Sequence, residues 1–180
     1  QACYSILKEA GIKCNVWTSP HIRKINERFV FNNQQLGDDE LASLFEEVER
    51  VNANNPITFF EILTACYFYK AAQYPDNLNL IEAGLFHRFD ATNILKNNLA
   101  SIVTSISKDH LDWLPENERT IDKIIFEKTS NLLNSNIIVA KQYPVSTLEK
   151  IKKTIHQNQS NKYFFNDDFS FSNGENEFFY

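Results

Sequence analysis

Two apolar runs in the middle of the chain deliver polar groups at their ends. The run Leu78–Ala83 carries Glu82, and the run Ala100–Ile106 is followed by Asp109 and His110. Short apolar runs of this kind read as buried strands of a parallel sheet. In open α/β sheets the C-terminal edge of the strands is where ligands bind. A carboxylate at that edge is placed to hold the magnesium of a bound nucleotide. Left unpaired, a buried carboxylate costs several kcal/mol, so Glu82 needs a metal or a salt bridge, with Arg88 a candidate partner.

Other residues carry weaker signals. Ser19 opens a polar loop after a short strand, where a lone Ser-Pro reads as a turn. His110 follows a strand, but an imidazole is a soft choice for magnesium. Lys128 falls in mid-helix, where composition alone supports a solvated side chain. Thr58-Phe59-Phe60-Glu61 is a ready capping box, with Thr58 as N-cap and Glu61 three residues on. Free amides at such a helix start also bind anions, so a cap and a ligand contact are compatible. Asp90 suits an Asx-turn or a pair with Arg88.

These residues need elements to hold them. Gln1–Ala10 reads as a helix closed by Gly11. Cys14–Trp17 is a short strand, Thr18–Glu27 a polar loop and Arg28–Phe31 a second extended piece. Helices follow at Asp38–Val51, with Leu41, Leu44, Phe45 and Val48 on one stripe, and at Phe59–Gln73. The strand Leu78–Ala83, the loop Gly84–Asn98 and the strand Ala100–Ile106 lead to a helix from about Asn117 to Leu133. Strand Asn136–Ala140 and a basic amphipathic helix Ser146–Gln157 complete the alternating part. Helices alternating with buried strands predict an α/β fold: a mostly parallel sheet with helices on both faces. From Asn158 the chain turns to short aromatic β segments at Tyr163–Phe165, Phe169–Phe171 and Glu177–Tyr180, with a hairpin turn at Asn173-Gly174.

Composition narrows the classes. A chain of 180 residues, 43% apolar and 13% aromatic, can bury a sizeable core. No apolar run approaches the roughly 20 residues of a membrane helix, and no secretory signal is visible. The net charge of −5 argues against a general nucleic-acid binder. Cys3, Cys14 and Cys66 are odd in number and unpatterned, as expected of reduced cytosolic thiols rather than a disulfide framework or zinc site. A cytoplasmic protein without nucleic-acid or membrane partners is the expectation. The chain starts at Gln1 and contains no Met, which suggests processing or a fragment.

The stretch from Leu80 to Trp113 resembles the folylpolyglutamate synthase/dihydrofolate synthase family of the Mur-type ligases. The matching residues are Glu82, Gly84-Leu85, Arg88, Asp90-Ala91-Thr92-Asn93, Thr104-Ser105, Asp109-His110 and Asp112-Trp113-Leu114. Upstream, Thr18-Ser19-Pro20-His21, Asn26-Glu27-Arg28, Phe60-Glu61 and Thr64 match further family signatures; downstream, Glu127-Lys128 match another. The matches run in family order over about Gln1 to Gln142. The resemblance implies a central ligase domain of P-loop type over 1–157, with 158–180 a β segment leading toward a C-terminal domain. It implies ATP-dependent joining of glutamate to folate or dihydropteroate through an acyl phosphate, with Mg2+. By resemblance Ser19, Glu82 and His110 ligate magnesium, and Lys128 is carbamylated, which requires a depressed amine pKa. Thr58, Phe59, Phe60, Glu61, Phe89, Asp90 and Ala91 would line the pterin site. The implied partners are folate or dihydropteroate, L-glutamate and ATP.

The chain departs from the pattern in places. Phe86-His87 stand where the family has Gly-Gly, so two bulky side chains are expected to crowd the ligand. Thr129-Ser130 replace Ala-Gly, and the segment between His110 and Lys128 is longer than usual. The Gly-rich phosphate loop does not occur in the 180 residues, and helix Gln1–Ala10 looks like the remainder of the helix that follows it. The chain alone is therefore expected to be inactive, unless a separate polypeptide supplies the missing parts. Another Mur-type amide ligase, or a non-catalytic remnant that binds a pterin or a partner, are the alternatives.

Overall fold

The structure is a computed structural model that describes residues 1–170 and the backbone of residues 172–173 and 178–179. The chain divides into two compact units, Gln1–Gly84 and Leu85–Tyr180.

In the first unit, helix α1 (Ala2–Glu9) leads into strand β1 (Cys14–Trp17). Gly11 between them takes a φ of +77°, a conformation glycine adopts without steric cost. Strand β1 pairs antiparallel with β2 (Phe29–Phe31), which pairs antiparallel with β3 (Gln34–Gln35). On its other side β1 pairs parallel with β4 (Leu78–Ile81). Helix α2 (Asp38–Asn52) carries Asp38, Asp39 and Glu40 in its first turn, where the helix dipole favours negative charge. Its Leu41, Leu44 and Val48 pack with Leu63, Cys66 and Tyr67 of α3 (Phe59–Ala71) and with Trp17, Phe29 and Phe31 of the sheet.

An asparagine network pins the parallel pair in this unit. Fully buried Asn15 lies opposite Asn79 in the β1–β4 register and donates to its Oδ1 at 3.2 Å. The Asn15 Oδ1 in turn accepts from Asn77 Nδ2 at 3.0 Å and from the Asn32 amide at 3.1 Å. A register slip would leave the buried Asn15 amide unpaired, at about 1–3 kcal/mol.

In the second unit, β5 (Ala100–Val103), β6 (Asn136–Val139) and β7 (Asn161–Phe164) form an all-parallel sheet in that order. Helices α4 (Ile121–Thr129) and α5 (Val145–Thr154) contribute to its core. That core gathers Val103, Ile106, Leu114, Ile124, Ile125, Ile137, Val139, Ile151 and Ile155. At the C-terminus the backbone of β8 (Ser172–Asn173) pairs antiparallel with β9 (Phe178–Phe179). Phe171, Gly174, Glu177 and Tyr180 of the expected terminal strands and turn lie outside the described residues.

Three expectations about elements are corrected. The two apolar runs are less buried than expected: among the described residues β4 and β5 each have one strand neighbour, no residue of β4 is buried, and Ile102 on β5 is 55% exposed, while Val103 and Ile106 of the second run reach the core. Strand β5 stops at Val103 instead of Ile106. The helix expected from Asn117 starts at Ile121, because Thr120 caps it by accepting the Lys123 amide at 3.2 Å, and Glu116–Glu118 forms a separate 3-10 turn after Pro115. Among the described residues, no helix is long and apolar enough to cross a membrane.

Candidate functional site

The parallel register of β1 and β4 places Trp17 opposite Ile81, so the residues after each strand emerge together. The Glu82 amide donates to the Trp17 carbonyl at 3.0 Å, and the Ser19 amide donates to Glu82 Oε2 at 2.9 Å. Two residues 63 positions apart are thus joined by the last rungs of a ladder. Glu82 is exposed, so the burial cost expected for its carboxylate does not arise, and Arg88 is not its partner. The cation that feels its charge is Arg28. Burial lowers the Arg28 pKa, and the Glu82 carboxylate partly restores it.

Arg28 is itself well held. Its guanidinium lies 6.0 Å from the Trp17 ring, and its Nε donates to His21 Nδ1 at 2.9 Å. The loop before it folds around one carboxylate: Glu27 accepts the amides of Ile22, Arg23 and Lys24 at 2.8, 2.9 and 2.9 Å. These bonds hold the Glu27 carboxyl below its ordinary range. The bond between Ser19 and Glu82 sets the Ser19 hydroxyl and the Glu82 carboxylate side by side at the strand ends. Two adjacent hard oxygens fit a magnesium-type cation, which keeps several waters and takes only one or two carboxylates. Among the described residues no three His, Cys, Asp or Glu side chains gather as a larger metal-binding group.

The start of α3 forms the expected capping box. Glu61 Oε2 accepts the Thr58 amide at 2.8 Å and its hydroxyl at 2.6 Å, and the Glu61 amide donates to Thr58 Oγ1 at 3.2 Å. The cap therefore accounts for both residues. Phe60 packs on Trp17 with ring centroids 5.8 Å apart, while Phe59 is 64% exposed.

In the second unit, four consecutive residues fasten the chain to α4 and to Asn131 just past its end. The Leu85 carbonyl accepts from Lys128 Nζ at 3.0 Å, and the Phe86 ring lies 5.6 Å from that nitrogen. His87 bonds the Asn131 backbone. The Arg88 amide donates to the Glu127 carbonyl at 3.0 Å, and its guanidinium makes two bonds of 2.8 Å to the Glu127 carboxylate. Lys128 is thus no solvated helix lysine. Burial pushes its pKa down, opposed by the charges of Asp109 and Asp90. His87 is shifted down for the same reason, and its Nε2 is buried without a partner.

His110 sits in the left-handed region at φ 56°, with its amide on Asp109 Oδ1 at 2.8 Å and its Nε2 3.3 Å from Asp109 Oδ2. Its ring meets Phe86 edge-on at 6.2 Å. One ring therefore lies against both His110 and Lys128, and Phe86 also packs on the second core. Asp90 forms the expected Asx-turn, accepting the Thr92 amide at 2.9 Å. Phe89 is 80% exposed beneath the Arg88 guanidinium at 4.0 Å, and Ala91 follows half-buried.

Ser19, Glu82 and the 58–61 helix start belong to the first unit; Phe89, Asp90, Ala91, His110 and Lys128 belong to the second. Within the units the structure joins Ser19 to Glu82, and His110 to Lys128 through Phe86. One residue near the site carried no sequence signal. Gln142 is buried just past β6, a position that reads as an ordinary polar loop residue.

Comparison with known proteins sets this geometry in a family. No family model matches the chain. The dihydrofolate synthase/folylpolyglutamate synthase of Escherichia coli is 37% identical over 121 residues, covering 66% of this chain and 28% of that protein. That of Haemophilus influenzae is 33% identical over 154 residues, covering 83% and 33%. That of Bacillus subtilis is 33% identical over 156 residues, covering 82% and 35%. The chain thus spans about a third of the length of these relatives. Among solved structures, Escherichia coli FolC in complex with DHPP and ADP superposes with a TM-score of 0.79 at 30% identity, over 97% of this chain and 41% of that one. The bifunctional Yersinia pestis synthase complexed with AMPPNP and Mn ion superposes with a TM-score of 0.80 at 27% identity, over 94% and 40%.

Proposed function

The chain belongs, over the segment it spans, to the dihydrofolate synthase/folylpolyglutamate synthase family, and from that premise we propose that its residues serve an ATP-dependent ligase that joins glutamate to folate or dihydropteroate. The observation that carries the reading is the Ser19–Glu82 bond at the C-terminal ends of two parallel strands. That edge is where α/β sheets receive nucleotides. Ser19 Oγ and Glu82 Oε1 would hold Mg2+, which neutralises phosphate charge when bound. Arg28, buried beside them, keeps positive charge near the Glu82 carboxylate.

In this reading the substrate carboxylate attacks the γ-phosphorus of ATP, ADP leaves, and the glutamate amine then displaces phosphate from the acyl phosphate. His110 is a further metal ligand. Lys128, whose pKa burial pushes down, is the residue for carbamylation, which requires a neutral amine. Thr58, Phe59, Phe60 and Glu61, with Phe89, Asp90 and Ala91, receive the pterin, for which Phe59 and Phe89 offer exposed ring faces. Residues 1–157 supply the central ligase part and 158–180 the β segment after it, in a cytoplasmic enzyme.

The 180 residues contain no Gly-rich phosphate loop, so the test needs the rest of the enzyme. We expect a chimera, with these residues in place of the matching segment of the Escherichia coli relative, to sustain ADP formation over many turnovers only when ATP, dihydropteroate or folate, and glutamate are all present. Glu82→Ala should lower that rate by roughly a hundredfold or more. A folded chimera that turns over equally well with Glu82→Ala would refute the reading.

A further inference from the structure

The β5–β6 ladder runs parallel from Ala100 opposite Asn136 to Val103 opposite Val139, and the Ala140 amide adds one more bond, to the Val103 carbonyl, at 2.9 Å. The backbones then part, yet the pairing continues. The Gln142 side chain accepts the Ile106 amide on its Oε1 at 2.9 Å and donates from Nε2 to the Thr104 carbonyl at 3.0 Å. In a parallel ladder, a residue on one strand bonds the carbonyl before and the amide after the residue opposite. The Gln142 amide makes that pattern around Ser105. A side-chain amide has the donor and acceptor of a peptide group, so it can stand in as a rung.

Its second donor bond, to the Ala140 carbonyl at 2.8 Å, ties the side chain back to its own strand. Gln142 is only 4% exposed and the Ile106 amide it accepts is buried, so that amide would be left unpaired in a dry place without it. The bond at Ile106 holds a residue that is 3% exposed in the second core. Asp109 and His110 lie three and four residues beyond, and Leu111 and buried Leu114 return to the same core. The loop is therefore clamped on both sides of His110.

We propose that Gln142 is a positioning residue for His110: its side-chain amide extends the β5 ladder past Val103 and sets where the Asp109-His110 loop leaves the sheet. The functional weight of this inference rests on the reading of His110 as a site residue; its geometry does not.

The test is nuclear magnetic resonance on the 180-residue protein carrying Gln142→Leu, which keeps bulk and removes every bond, or Gln142→Glu, which keeps only the acceptor. In Gln142→Leu the Ile106 amide should exchange about tenfold faster or more. The cross-peaks between the His110 and Phe86 rings should weaken, while the Ile124, Ile137 and Val139 methyl signals stay in place. Gln142→Glu should keep Ile106 protected and serves if the leucine variant does not fold. Unchanged Ile106 exchange in Gln142→Leu, or His110–Phe86 cross-peaks unchanged while Ile106 is exposed, would overturn the proposal. Failure of the underlying reading appears elsewhere, as His110→Ala leaving chimera turnover intact.

Discussion

At the scale of single residues, the candidate chemistry depends on a few contacts that residue type alone did not reveal. Glu82 and Ser19 stood out by pattern, but their direct bond follows from the β1–β4 register. Phe86 shows the opposite case. From sequence it looks like an obstruction to ligand. In the structure its ring lies against His110, Lys128 and the second core, so it packs against residues of the site. Replacing it with glycine should therefore weaken the protein. Large-to-small changes at buried aromatic positions cost about 3–5 kcal/mol. For this half-buried ring we expect Phe86→Gly to cost roughly 2–4 kcal/mol in urea unfolding, with loss of the His110 ring contact. A variant as stable as the parent would mean that Phe86 contributes no packing.

At the scale of elements, local chemistry was readable where it is self-contained. The α3 capping box, the acidic first turn of α2 and the Gly11 stop each depend on residues within a few positions, and all three occur. Strand burial was only partly readable, because an apolar run does not reveal whether it has one neighbour or two, and among the described residues β4 and β5 have one. The fastening of residues 85–88 to α4 was also hidden, since its partners lie about forty residues away. Glu127, 5% exposed, carries that junction. Its bonds to Arg88, above all, hold its carboxyl below the ordinary range. A depressed carboxylate pKa means stability that is present above the unfolded value, near 4.3, and lost as pH falls through the folded value. Glu127→Gln should cost roughly 1–3 kcal/mol at pH 7, and the gap to the parent should shrink steadily below about pH 4. Denaturant titrations at pH 7 and pH 3 that give the same gap would show that the charge of Glu127 is irrelevant to the junction.

At the scale of the molecule, the α/β class and the family were legible because the motifs recur in order along the chain, independent of how the parts are arranged. The site was legible in its residue types and only partly in its roles. Thr58 and Glu61 are occupied by their own cap, and Glu82 answers to Arg28 instead of Arg88. The central claim is that these residues belong to a ligase that activates a carboxylate as an acyl phosphate. Isotope transfer tests it directly. The chimera would be given dihydropteroate or folate labelled with 18O in both oxygens of the reacting carboxylate, together with ATP and glutamate, and the released phosphate analysed by mass. The account predicts one labelled oxygen in each phosphate formed, the other remaining in the amide, and loss of both products with Glu82→Ala. Amide product accompanied by unlabelled phosphate would contradict it.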